Sequence, residues 1–424
     1  CAHSRNEEVV MRHIGLEAMA LLAAAILTTQ CSGAGASPAD NTTTETPSEQ
    51  RTASTLGLDP KDSPASDRGS QTPAQQSDPT NDDCSKVVDT CPVPAGVMWQ
   101  CKRRFMHGVN FAWHGFGSDF GGARQWGVPG VASLPEIDRE LADMKRHGSN
   151  VIRWWIFADL RGDGITMDQN GTPTGLGGTF LADLNAALEL AQRHDLYLML
   201  TVFSFDGFRP TKNHSGRIVP GLRPIVVDDA KRLALMNNVI APMAAAAEAN
   251  PNRKRLIAWD LINEPEWAMS GPSMYGDPNF DPIGDMETVS HQQMETLLQD
   301  MTKTLRTHSR ALVTVGAAAA KWKNAWSKLD LDFYQFHIYD WVNQNWPFHK
   351  SPTELGLGSK PVVMGEFPLT GLTGVTVPDM LNTWLANGYA GGLSWSVTDP
   401  NFKWHENKQS HTLFAKDRAC ETTY

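Results

Sequence analysis

The stretch Leu256-Ile257-Ala258-Trp259-Asp260-Leu261-Ile262-Asn263-Glu264-Pro265-Glu266-Trp267 is an apolar run that ends on polar residues. It predicts a buried strand over 256–262 with its polar end pointing at whatever follows. The same pattern recurs on either side. Apolar runs at 106–111, 151–157, 196–203, 312–315, 333–338, 361–365 and 392–397 bring the number of expected strands to eight. Between them, Ile137, Leu141 and Met144 recur at helical spacing, as do Leu181, Leu184, Leu188 and Ala191, and Leu233, Met236, Ile240 and Met243. Apolar strands that alternate with amphipathic helices signify a parallel sheet. Eight such units suit a closed (β/α)8 barrel of the TIM-barrel class, with extended βα loops. A doubly wound sheet is the alternative. No short internal repeat and no shift in composition divides this region in two.

In a barrel of this kind the C-terminal ends of the strands share one mouth, and chemistry sits there. Those ends carry His114 and Asp119 after the first strand, Arg153 to Trp155 in the second and Asp206 after the third. They continue with Asn263 and Glu264 after the fourth, His337 and Tyr339 at the sixth, Glu366 at the seventh and Trp395 at the eighth. Glu366 closes Pro361-Val362-Val363-Met364-Gly365-Glu366-Phe367-Pro368, again an apolar run. A lone carboxylate beside such a run is costly to bury unless it is paired or functional, so two at strand ends require an explanation.

Two carboxyls across a pocket hydrolyse a glycosidic bond when one donates a proton to the leaving oxygen and the other attacks as nucleophile. The donor must keep its proton near neutral pH, while the nucleophile must stay ionised. Arg153 and Tyr339 are placed to keep Glu366 charged. Pro265, Trp259 and Trp267 offer Glu264 an apolar flank. Trp113, Trp126, Trp154, Trp155, Trp267, Trp341 and Trp346 lie near expected mouth loops, where indole faces suit the C–H faces of pyranose rings. Adjacent strand residues alternate, so one of Trp154 and Trp155 must face outward, toward the helices.

The region 105–400 resembles glycoside hydrolase family 5, the cellulase and mannanase family, or a near relative in the same retaining (β/α)8 clan. The resemblance rests on Asn263-Glu264-Pro265 after an apolar strand, Gly365-Glu366, Phe336-His337-Ile338-Tyr339, Arg153 and Trp395. It implies Glu264 as acid/base, Glu366 as nucleophile, Asn263 as a contact to the sugar 2-hydroxyl and Trp395 as the platform under the sugar at the cleavage point. Arg153, His337, Tyr339, His114, Asp119 and Trp267 complete the expected substrate-binding set. One departure is that Thr201-Val202-Phe203-Ser204-Phe205-Asp206 lacks the His many members carry near the end of the third strand; Ser204, Asp206 and His114 are the substitutes at hand. The implied activity is retaining cleavage of internal β-1,4 bonds in a β-linked hexose polymer, mannan or glucomannan ahead of β-glucan, with no cofactor and no metal. A catalytically silent carbohydrate-binding barrel and a transglycosylase that remodels a surface glycan are the alternatives.

The chain has 424 residues and a formal net charge of −10, with 37 Lys and Arg against 47 Asp and Glu. This balance argues against nucleic acid as a partner. Polysaccharide is the expected partner, and the body is expected to be monomeric. Residues 1–10 precede the first Met, Met11, and read as translated upstream sequence. Residues 11–31 read as a signal segment that resembles a lipoprotein leader ending at Cys31, which implies export to a bacterial envelope or beyond and a lipid anchor as the one membrane contact. Residues 32–83, rich in Ser, Thr and Pro, read as a disordered linker. The catalytic domain is expected over 84–424. It holds Cys84, Cys91, Cys101 and Cys420, an even set that predicts two disulfides, with three pairings open and Cys420 reaching back to the domain entrance.

Overall fold

A computed structural model describes residues 83–358 and 360–424. The leader-like segment, Cys31 and all but the last residue of the expected linker lie outside the described residues. Eight parallel strands form a closed barrel in chain order: β1 (Met106–Asn110), β2 (Val151–Trp155), β3 (Tyr197–Ser204), β4 (Leu256–Asn263), β5 (Leu312–Ala317), β6 (Tyr334–His337), β7 (Val362–Pro368) and β8 (Gly391–Trp395), which pairs with β1. Every expected strand is present, and closure of β8 on β1 decides for the barrel over the doubly wound sheet. The strands read as apolar runs because both of their faces are covered. All residues of β3, β4 and β7 are buried.

The helices follow the expected stripes with two corrections. Helix Pro135–Arg146 buries Ile137, Leu141 and Met144. Helix Phe180–Arg193 buries Leu184, Leu188 and Ala191, but Leu181 is exposed and Phe180 takes the inward place. Leu233 is likewise exposed, while Met236, Ile240 and Met243 point inward. One residue along a helix is a rotation of about 100°, enough to carry a Leu off a narrow buried stripe.

Two of the expected helical crossovers are not full helices. The β5–β6 connection holds only a 3-10 turn, Ala320–Trp322, and the β6–β7 connection a four-residue helix, Asp340–Asn343. Large aromatic and aliphatic side chains take over there: Trp322, Trp326, Leu329 and Leu331 are buried from the first connection and cover the barrel wall. Both disulfides form, as Cys84–Cys101 and Cys91–Cys420. The second ties the entrance of the domain to its last helix, as the expectation for Cys420 required. No helix among the described residues is long and apolar enough to cross a membrane.

Candidate active site

Arg153, on β2, sits fully buried at the centre of the barrel mouth. Its Nε and Nη2 contact Asp260 Oδ2 at 2.9 and 2.7 Å. Nη1 donates to Asn110 Oδ1 at 2.9 Å and to Glu366 Oε1 at 2.7 Å, and Nη2 also donates to Asn263 Oδ1 at 2.8 Å. The planar fork is thereby occupied by four side chains from β1, β4 and β7. Arg153 holds Glu366 and Asn263 in place from the barrel interior.

Glu366 is held on both oxygens, since Tyr339 donates its hydroxyl to Oε2 at 2.9 Å. Glu264 directly follows β4 with a left-handed backbone, φ 49°, and its N–H donates to the Gly316 carbonyl. A non-glycine residue at positive φ is costly, of order 1–3 kcal/mol, and is typical of positions where the surrounding structure over-determines a functional side chain. The turn aims the carboxyl at His337 and Trp267: His337 Nδ1 lies 2.8 Å from Oε1, and the Trp267 indole donates to Oε2 at 3.1 Å. His337 Nδ1 also lies 3.4 Å from Glu366 Oε2. An oxygen of Glu264, an oxygen of Glu366 and a ring nitrogen of His337 all fall within 4.8 Å of one another.

Burial raises both carboxyls, but unequally. Glu264 is pushed well above the ordinary Glu range by burial and then by the charge on Glu366, whereas Arg153 and the Tyr339 hydroxyl pull Glu366 back. Glu366 is therefore the first of the pair to ionise. Burial, followed by the nearby guanidinium, holds His337 well below its ordinary value, so its ring is neutral. Burial and the charge of Glu366 hold Tyr339 well above the usual phenol range, so it remains a donor.

The aromatic side of the mouth gathers around Trp395. Its ring centroid lies 5.6 Å from Trp155 and 5.9 Å from half-buried Trp113, and Trp113 packs edge-on against Phe116 at 4.9 Å. Trp154 faces the other way, packed between Phe111 and Phe120 with its indole on Asp119 Oδ2 at 2.7 Å. On the opposite side, Trp341 packs against Trp267 at 5.7 Å. Trp346 packs on the core, and Trp126 donates to the Ser215 carbonyl on a peripheral hairpin.

His114 and Asp119 stand apart from this cluster. The His114 ring turns to Glu140 and Glu136 of helix Pro135–Arg146. Asp119 accepts from the His114 and Gly115 backbone and from Trp154, and so ties its own loop to β2. At the end of β3, where the expected His is missing, Thr201 donates to Asp260 Oδ2 and Asp206 pairs with Ser204 and Arg209. Sequence reasoning overlooked Asn110, Asp260 and Gln335. Asp260 had a signal, as the one charged residue inside the apolar run of β4. Asn110 and Gln335 lie within strands, where their sequence neighbours give no hint that they converge on Arg153 and Asp260.

No protein-family model matches the chain. It is 28% identical over 328 residues to a mannan endo-1,4-β-mannosidase of Mytilus edulis, covering 70% of this chain and 84% of that protein. It is 26% identical over 332 residues to a mannan endo-1,4-β-mannosidase of Cryptopygus antarcticus, covering 69% and 80%. The X-ray structure of the β-mannanase from the blue mussel Mytilus edulis superposes with a TM-score of 0.59 at 25% identity, covering 77% of this chain and 96% of that one. The β-1,4-mannanase of the common sea hare Aplysia kurodai, at 21% identity, shares the fold with a TM-score of 0.62 over 78% and 97%. These relatives, all mannanases, bear out the resemblance read from the sequence to glycoside hydrolase family 5, the cellulase and mannanase family, or a near relative in its (β/α)8 clan.

Proposed function

We propose that the protein is a retaining endo-β-glycosidase that cleaves β-1,4 bonds of mannan or glucomannan. The observation that carries this reading is the carboxyl pair: two buried glutamates on β4 and β7 with oxygens within 4.8 Å, one gripped by a guanidinium and a phenol, the other by an indole and a neutral imidazole. That spacing suits direct attack by one carboxylate rather than a water held between two.

Glu366, ionised, attacks the anomeric carbon while Glu264 gives its proton to the leaving oxygen. The glycosidic bond breaks and a glycosyl ester to Glu366 forms. Glu264, now ionised, takes a proton from an incoming water. The water oxygen bonds to the anomeric carbon, the ester bond breaks, and the β configuration is restored. Asn263 has its carbonyl oxygen fixed by Arg153, and its buried amide nitrogen has no partner among the described residues. This supports it as a donor to the 2-hydroxyl. Trp395, with Trp155 and Trp113 around it, supplies the apolar face for the ring at the cleavage point, while Trp267 and Trp341 supply one beyond it. His337 and Tyr339 orient the two carboxyls. His114 and Asp119 have no place in this assignment.

Mannan is favoured over glucan because both curated relatives named above are mannan endo-1,4-β-mannosidases. The test is kcat/KM on manno- and gluco-oligosaccharides of equal length. A ratio of at least tenfold toward mannan, about 1.4 kcal/mol, is expected, and a tenfold preference for glucan overturns the assignment. Binding of either polymer without turnover would return the silent barrel, and products longer than the starting oligosaccharide the transglycosylase. Export is part of the proposal, supported by two disulfides of the kind that persist in oxidising compartments. Anchoring at Cys31 rests on the sequence. Detergent-phase partition that is lost in Cys31→Ser is the expected result, and aqueous partition of the intact protein rejects it.

A further inference from the structure

Glu266 is fully buried, two residues beyond Glu264 on the 3-10 turn Pro265–Ala268. The reaction above makes no use of it. Its oxygens meet two N–H donors from the β5–β6 connection: Oε1 accepts from the Trp326 indole at 2.6 Å and Oε2 from the Ala318 backbone at 3.0 Å. Neither donor is a cation. A carboxyl with a donor on each oxygen is arranged for its ionised form, because an ionised carboxylate only accepts whereas a neutral one must also place a proton. A glutamine would turn an N–H of its own toward one of the two donors.

We propose that Glu266 is a positioning residue whose buried charge, lodged on the turn that carries Glu264, keeps the acid/base protonated toward alkaline pH. This deepens, and rests on, the reading of Glu264 as acid/base. Around Glu266 stand Glu264 on its own turn, Asp277 in the following loop, His291, whose ring packs edge-on against Trp326 at 5.4 Å, and Asp206 on the turn Phe205–Phe208 that packs against Pro265–Ala268; Lys323 faces Asp277 and Arg209 pairs with Asp206. The electrostatics run in the required direction. Burial, the charge of Glu366 and then the charge of Glu266 all raise Glu264. Burial pushes Glu266 itself up to about 7. As pH climbs through that region, Glu266 acquires charge and makes the loss of the Glu264 proton harder. The working range is extended on its alkaline side.

The experiment is the pH profile of kcat/KM on mannohexaose for the full chain and its variants. Glu266→Gln should move the alkaline limb down by about one pH unit and leave the acid limb in place, the size expected for a unit charge acting across several ångströms of protein. Glu266→Asp keeps the charge and should keep the alkaline limb, whatever it does to kcat. Trp326→Phe removes one donor from the anion, makes Glu266 harder to ionise, and should move the limb in the same direction as Glu266→Gln but by less. It carries the test if Glu266→Gln does not fold. Equal losses of kcat in all three, with the limb unmoved, would make Glu266 a staple between two loops and overturn the proposal. Glu264→Gln separates the two layers. If it hydrolyses mannohexaose at the wild-type rate, the acid/base reading fails. If it is inactive while the limb ignores Glu266, only the tuning fails.

Discussion

At the scale of single residues, Arg153 is the pivot, because it satisfies Asp260, Glu366, Asn263 and Asn110 at once from a fully buried position. Lysine cannot reproduce a planar five-donor fork. Arg153→Lys is expected to lower kcat by about a hundredfold or more, because both Glu366 and Asn263 lose their support, and to cost about 3 kcal/mol or more of stability through unpaired buried carboxylates. Kinetics and denaturant melts on the same preparation check both numbers. The carboxyl pair fixes the signs of the pH profile. Activity falls at low pH as Glu366 gains a proton and at high pH as Glu264 loses one, and Glu366 is the lower of the two because Arg153 touches it. Glu264→Ala should regain turnover with azide on a substrate bearing a good leaving group, giving a β-configured azide adduct; absence of that adduct counts against Glu264 as the acid. Strand-end positions made Glu264, Glu366, His337, Tyr339 and Trp395 legible in the sequence. The inner contacts of Arg153 were not, because they join β1, β2, β4 and β7, and no local pattern records which strand ends meet. Nor do sequence neighbours show that the His114 ring meets Glu136 and Glu140 of helix Pro135–Arg146.

At the scale of elements, the last long helix, Trp404–Asp417, is locked to the barrel by a buried chain. Ser394 of β8 lies 2.8 Å from His411 Nε2, His411 Nδ1 lies 3.1 Å from His107 Nε2 on β1, and His107 Nδ1 lies 3.0 Å from the Gly148 carbonyl. The terminal carbonyl can only accept, so each link has one consistent direction: His107 donates to Gly148, His411 to His107 and Ser394 to His411, with both rings neutral. Burial pushes His107 down to about 4 from an ordinary 6.5, and pushes His411 well down too. Below about pH 6.5 the unfolded chain binds protons that the folded one refuses. This contribution is therefore full above 6.5 and is lost as pH falls toward 4, by about 3 kcal/mol for His107. His107→Gln keeps a donor and an acceptor but has no charge to gain. Its stability should fall less than the wild type's over that range by about this amount, and parallel curves would contradict the account. The periodic helices and strands were readable because one buried stripe sets each. The β5–β6 and β6–β7 connections were not, since tryptophans there do the covering that a helix does elsewhere, and aromatic cover has no period.

At the scale of the whole molecule, the two chain ends of the described domain close on each other. Cys91–Cys420 joins residues 329 apart in sequence, and beside it Arg104 pairs with Asp89 and donates to the Thr423 carbonyl. Removing that bridge as Cys91→Ser with Cys420→Ser should cost about 2–4 kcal/mol by freeing the unfolded chain, with little effect on kcat, because the seam lies at the β1 entrance and the chemistry at the opposite ends of the strands. A large loss of activity with unchanged stability would contradict this. The measurement that bears most directly on the central claim is covalent trapping. The full chain is incubated with a 2-deoxy-2-fluoro-β-mannosyl fluoride, whose 2-fluorine slows both steps while the anomeric fluoride leaving group keeps the first one fast, and is then digested and read by peptide mass spectrometry. The account predicts one glycosyl group per chain, on the peptide containing Glu366, and none in Glu366→Gln. A label on another carboxylate, or none from a preparation that hydrolyses mannan, would contradict it.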